Sequence, residues 1–263
     1  MVELIVSFLF DEISFFNLFS YLSTRTILST LTSLLLVLIF GEGFIRLISS
    51  FQFNQTFDGR APNRHMVKHG TPTMGGILIV SSVLISGILW GNLFETDLIL
   101  GLICIVGFAI IGFIDDYKKV KIESSKGLSS IEKIFFQSIL AGIISISLFM
   151  LAESKNELIY IVPFFKNIAL DLGIFFIFIS IFIIVGSSNA VNLTDGLDGL
   201  AILPVILIAS ALGIIAWAAG NVIASDYLYI PYVEDTGELL VLCGALVGAV
   251  SYTHLRAHET SLH

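Results

Sequence analysis

The sequence predicts an all-α, polytopic transmembrane helix bundle. Hydrophobic residues make up 56% of its 263 positions and charged residues 13%, far from the balance of about half apolar and a quarter charged that is usual in soluble domains. Mean hydropathy is +0.96. The apolar residues also fall in runs close to the roughly 20 residues that a spanning helix needs.

Taken in order, the first twenty residues carry Asp11 and Glu12 inside an apolar stretch, with no basic start and no small-residue cleavage site. They read as a short helix lying in the membrane interface rather than as a signal peptide. Six complete spans follow, at about 26–48, 73–91, 98–114, 134–152, 170–188 and 200–219. A seventh apolar run begins near 239 and breaks at about 250, too short to cross. No internal repeat is evident. The domain reading is a partial membrane domain over 1–249 and a tail of different character over 250–263.

Lysine and arginine placement orients the bundle. Arg46, Arg60, Arg64 and Lys68 precede the second span, and Lys118, Lys119, Lys121, Lys126 and Lys133 follow the third, together nine of the thirteen basic residues. The alternate loops are poor in them; residues 220–238 hold Asp226, Glu234, Asp235 and Glu238 and no base. The positive-inside rule then puts 49–72, 115–133 and 189–199 in the cytoplasm and the N-terminus outside. The net charge of -8 leaves no basic stripe for nucleic acid. Cys104 and Cys243 lie in apolar runs as packing residues, without zinc-ligand spacing.

The inside loops collect the unusual polar residues. The first ends in Lys68-His69-Gly70-Thr71-Pro72-Thr73-Met74-Gly75-Gly76. Pro72 stops a helix and suits the first turn of the next. The glycines allow close backbone approach, and Lys68 can meet an anion. A plain helix start with a small-residue packing face accounts for the same string. The second loop begins with Asp115-Asp116. Two carboxylates at the end of a span oppose the helix dipole and are costly near hydrocarbon. They can hold Mg²⁺ or act on a phosphate; a solvated helix end balanced by Lys118, Lys119 and Lys121 is the plainer account. The third loop is Asn189-Ala-Val-Asn192-Leu-Thr194-Asp195-Gly196-Leu-Asp198-Gly199-Leu-Ala201. Asn189 and Asn192, and Asp195 and Asp198, are three apart and share a face if helical. Thr194 or Asp195 can cap the sixth helix, which explains one acid but not two acids and two amides. His65 and His69 read as solvated loop residues, and Glu42 with Arg46 as an interfacial ion pair.

The strings at 68–76, 115–116 and 189–200 resemble those of the phospho-N-acetylmuramoyl-pentapeptide transferases of peptidoglycan synthesis, in the same order and spacing, over roughly residues 15–249. The Asp-Asp pair and the Asp-Gly-x-Asp-Gly string recur across the wider superfamily of polyprenyl-phosphate sugar-1-phosphate transferases. Thr-Pro-Thr-Met-Gly-Gly favours the muramoyl-pentapeptide branch. The resemblance implies a bacterial inner-membrane enzyme that uses Mg²⁺ to join UDP-MurNAc-pentapeptide and undecaprenyl phosphate into lipid I and UMP. It implies catalytic roles for Asp115 and Asp116, substrate contacts for Lys68, Thr73, Asn192, Asp195, Gly196 and Asp198, and metal ligation by Asp115, Asp116 and Asp195. It further implies ten spans and a homodimer in the full-length protein. The family's Met-Gly-Asp aspartate and histidine-rich loop have no match here, and His254, His258 and His263 do not supply the latter. The expectation is therefore little activity from these 263 residues alone. The alternatives are a sister enzyme using UDP-GlcNAc, a transporter or anion channel, and a non-catalytic membrane scaffold.

Overall fold

The computed structural model describes residues 14–50, 75–122, 127–162, 169–194 and 201–260. A 3-10 turn, Ser14–Ser20, leads into α1, Leu22–Ser50. The main helices that follow are α2 (Gly76–Trp90), α3 (Thr96–Ile122), α4 (Ser130–Leu151), α5 (Phe175–Thr194) and α6 (Ile202–Ala219). A short α7 (Val222–Leu228), a 3-10 turn at Thr236–Glu238 and α8 (Leu239–Thr260) complete the order.

α1 buries a stripe of residues about one turn apart: Arg25, Ser29, Ser33, Val37 and Gly41. Small residues let another backbone approach closely, which is how helices associate where lipid supplies no hydrophobic drive. The partner is α8. A Cβ at Gly244 would lie 2.7 Å from the Thr30 hydroxyl, and one at Gly248 would collide with the Thr30 carbonyl. Ser29 donates to the Val241 carbonyl at 3.1 Å across the same seam. Val37, Val83, Leu98, Leu102, Leu242, Ala245 and Ala249 then close one core among α1, α2, α3 and α8. α6 packs on the far side of α8, where Gly213 leaves room for Cys243.

Successive long helices run in alternate directions, so the connections sort to two ends of the bundle. At one end Arg25 on α1 meets Glu238 before α8, and Glu238 also accepts from the Asn92 amide at 3.0 Å in the α2–α3 turn. That end also holds a two-stranded antiparallel hairpin, β1 (Ile159–Ile161) and β2 (Ala169–Asp171), paired Tyr160 to Leu170. The opposite end gathers the last turns of α3 and α5 and the first turn of α4.

The helical bundle is as the composition predicts, and among the described residues five helices, Leu22–Ile48, Thr96–Lys119, Ser130–Leu151, Phe175–Thr194 and Ile202–Ala219, are long and apolar enough to cross a membrane. The expected boundaries need correction. The second span, expected over 73–91, is helix from Gly76 to Trp90, where Gly91 turns extended and ends it; 73 and 74 lie outside the described residues. The third runs past Asp115 and Asp116 to Ile122. The fifth starts at Phe175 rather than 170, since 169–171 is strand. The seventh apolar run ends close to the expected 250 and is too short to cross, but the helix that carries it, α8, is continuous over 22 residues to Thr260. Its apolar part stops at Ser251, but the sequence beyond carries Leu, Arg, Ala and Glu with no Gly or Pro, so the backbone has no reason to leave the helix. Thr194, in the last turn of α5, does not cap the sixth helix: α6 begins at Ile202 with Ala201 before it and no side-chain cap; Asp195 lies outside the described residues.

Candidate functional site

Asp115 and Asp116 are neighbours on α3, and side chains of adjacent helical residues point about 100° apart. Their surroundings differ accordingly. Asp115 turns inward and its side chain is 9% exposed. Its Oδ1 accepts from the Leu128 amide at 2.7 Å. Its Oδ2 meets the Lys119 ammonium at 2.8 Å and the Lys133 ammonium at 2.9 Å. A side chain at Gly127 would strike this carboxylate, so the backbone at Gly127 and Leu128 passes tightly over it. Both oxygens are thus engaged by donors, two of them charged, which is what a buried carboxylate requires.

Asp116 faces the other way. Its side chain is 31% exposed and meets Lys119 at 3.1 Å, so one ammonium bridges both acids. It stands on the lining of a groove of about 430 Å³ between α2 and α3, whose other walls are mostly apolar.

The local sequence explains how α4 reaches this point. Ser129 accepts from the Glu132 amide while Glu132 returns a bond to the Ser129 amide, a capping box that fixes where α4 starts. Four residues on, Lys133 reaches Asp115. One turn further, Gln137 reaches α5: Asn189 donates to the Gln137 Oε1 at 2.7 Å, and Gln137 donates to the Ser188 hydroxyl at 3.3 Å. One face of α4 therefore links the acid pair to the amide-bearing helix.

Of the residues singled out in the sequence, the structure brings Asp115, Asp116 and the amide helix to one end of the bundle. Asn189 and Asn192 both lie in α5, with Asn192 exposed in its last turn. Lys68, Thr73, Asp195, Gly196 and Asp198 lie outside the described residues, as do His65 and His69. Among the described residues no group of three or more His, Cys, Asp or Glu is placed to hold a metal ion. Glu42 and Arg46 do pair, at 3.3 Å, in an exposed position. The sequence marks Lys119 only as charge balance and Lys133 only as one of the basic residues that orient the bundle, and passes over Gln137. The available signals were Lys119 at three and four residues from the acids, and a lone amide one turn after Lys133 in an otherwise apolar run.

Residues 98–256, more than half of the chain, match the family model described as Glycosyl transferase family 4. Residues 68–80 match phospho-N-acetylmuramoyl-pentapeptide-transferase signature 1. The longer match takes in both acids and the whole of α4 to α6; the shorter one runs from Lys68 into the first turns of α2.

Proposed function

Because this chain belongs to glycosyl transferase family 4, whose members are phosphosugar-1-phosphate transferases, we propose that it handles the transfer of phospho-MurNAc-pentapeptide from UDP-MurNAc-pentapeptide to undecaprenyl phosphate. An oxygen of the acceptor phosphate attacks the sugar-linked phosphorus, the pyrophosphate bond breaks, and UMP leaves, giving lipid I. The observation that supports the choice of donor is the signature match at 68–80, which favours the muramoyl-pentapeptide branch over its UDP-GlcNAc relatives.

Phosphoryl transfer asks a protein for positioning and charge neutralisation more than for covalent chemistry. An acceptor phosphate monoester, with a second pKa of about 6, is already mostly ionised near neutrality. In this reading Asp116 is the working acid, with Asn192 and the segment 195–198 on the nucleotide side and Lys68 and Thr73 joining them from the first loop. Asp115 positions it, by pinning α3 to α4. Magnesium suits one or two carboxylates plus substrate phosphates. Asp116, part exposed and held by one ammonium among the described residues, fits that donor set better than Asp115, whose two oxygens already hold donors. When bound, the ion would screen the charge of the phosphates brought together there. The same reading places the multi-pass chain in the bacterial inner membrane, with the acid end cytoplasmic and the N-terminus outside, and allows for a homodimer.

A direct test is equilibrium binding of labelled UDP-MurNAc-pentapeptide to the chain in lipid nanodiscs with Mg²⁺. Unlabelled UDP-MurNAc-pentapeptide should compete at least tenfold better than UDP-GlcNAc. Equal competition, or a preference for UDP-GlcNAc, would move the assignment to the sister enzymes.

A further inference from the structure

A second cavity, of about 410 Å³, lies at the end of the bundle away from the acid pair. Asp97 lines it, and Asp97 and Asp116 stand toward opposite ends of α3, roughly 28 Å apart along its axis. The other walls come from the last turn of α4 (Leu148), the first turn of α5 (Phe176), the end of α6 (Ile215) and the hairpin (Ile159). They are mostly apolar. Small-ligand sites are typically of about 300–1,000 Å³ and set a few polar groups into apolar walls, and this cavity has that make-up. Its charged groups are all of one sign. Asp97 and Glu157 are both part-buried, and the described lining holds no lysine, arginine or histidine. Asp97 is bonded by the Thr236 hydroxyl, while Glu157 and Asp235 add like charge around it. Glu157 takes the amides of Glu153 and Ser154 and the Ser154 hydroxyl on a single oxygen, Oε1. Amides and hydroxyls satisfy the lone pairs of a carboxylate but leave its charge uncompensated.

We infer that this cavity binds an organic ammonium: an apolar body that fills the space, with one cationic nitrogen set against Asp97 and Glu157. The inference goes beyond the transferase reading and does not depend on it. A bare metal ion suits the cavity poorly, because calcium and magnesium want about six or more oxygens and the apolar walls supply none. A neutral ligand would cover the walls but leave the like charges facing one another. An ammonium brings up to three N–H donors and a full positive charge on one head, while its hydrocarbon lies against Leu148, Phe176 and Ile215. The cavity touches four helices at once, α3 to α6. A ligand held there binds the folded chain and not the unfolded one, so thermal unfolding should rise with its concentration.

The test uses radiolabelled benzylammonium in equilibrium dialysis against the chain in lipid nanodiscs, with empty nanodiscs subtracted. Saturable binding is expected, and the unfolding temperature should climb along the same concentration curve. Unlabelled benzylammonium should displace the label; benzyl alcohol, benzoate and calcium at equal concentration should not. Asp97→Asn removes one charge, and Ile215→Trp fills the space from an already exposed position. Each should weaken binding at least tenfold, with unfolding of the ligand-free chain unchanged. Equal displacement by benzyl alcohol overturns the inference, since the acids would then play no part. Equal displacement by calcium overturns it in favour of an inorganic cation site. Undiminished binding in either variant overturns it too, as does the lack of any saturable component. The competition arms need no variant, so the inference stays open to refutation even where a substituted chain fails to fold. None of these outcomes bears on donor binding, which the UDP-MurNAc-pentapeptide measurement tests separately.

Discussion

Lys133 and Gln137 stand one turn apart on α4 and hold different helices: Lys133 meets Asp115 of α3 at 2.9 Å, and Gln137 accepts from Asn189 of α5 at 2.7 Å. The two adjacent acids should therefore respond differently to mutation. Asp115→Asn leaves two ammoniums without their shared counter-charge in a buried place and should cost about 1–3 kcal/mol of stability. Asp116→Asn should stay within about 0.5 kcal/mol of the parent and instead abolish the Mg²⁺-dependent part of ligand binding. Thermal unfolding in detergent beside nucleotide binding with and without Mg²⁺ separates them; matching profiles for the two variants would refute the division of labour.

Ser129→Ala should weaken the start of α4 by about 1 kcal/mol, and the loss should be felt at Asp115 because Lys133 sits in that first turn. Hydrogen exchange across 127–133 is the measurement. Unchanged protection there would show that the capping box is not what fixes Lys133.

At the other end, Arg25 and Glu238 form a two-pronged pair at 2.7 and 2.5 Å with both residues buried. Arg25→Met strands a carboxylate in a dry site and should cost about 3–5 kcal/mol. The double variant Arg25→Met, Glu238→Leu should recover most of that, because two apolar residues need no partner. A double variant as unstable as the single one would contradict the argument.

The seam between α1 and α8 predicts a contrast among glycines. Gly248→Leu puts a side chain into the Thr30 backbone and should destabilise by about 1–3 kcal/mol or more. Gly112→Ala meets no neighbour and should remain within about 0.5 kcal/mol. Denaturant titration of the two variants side by side is sufficient; equal losses would mean that the seam is looser than its geometry.

The centres of the helices were legible because hydropathy reports what lipid demands of a side chain. Their ends were not, because a helix ends where its backbone ladder ends. That is how α3 carries polar Asp115 and Asp116 onward to Ile122 and how α8 passes 250 unbroken. The hairpin was missed since three-residue strands have too few positions for a period to show. The acid pair could be picked out from its cost near hydrocarbon, and Asn189 from its company. That Asp115 is clamped while Asp116 lines a groove depends on which helix lies on which side of α3. Arg25 and Glu238 gave no hint of each other at a separation of 213 residues.

That separation has a consequence for biogenesis. Ribosomes add roughly 5–20 residues per second, so α1 enters the bilayer on the order of 10–40 s before its partner is made. Through that interval the polar stripe of Arg25, Ser29 and Ser33 has no α8 to meet. Insertion machinery or a neighbouring lipid headgroup must shelter it, and a pause in translation between α6 and α8 would prolong the wait.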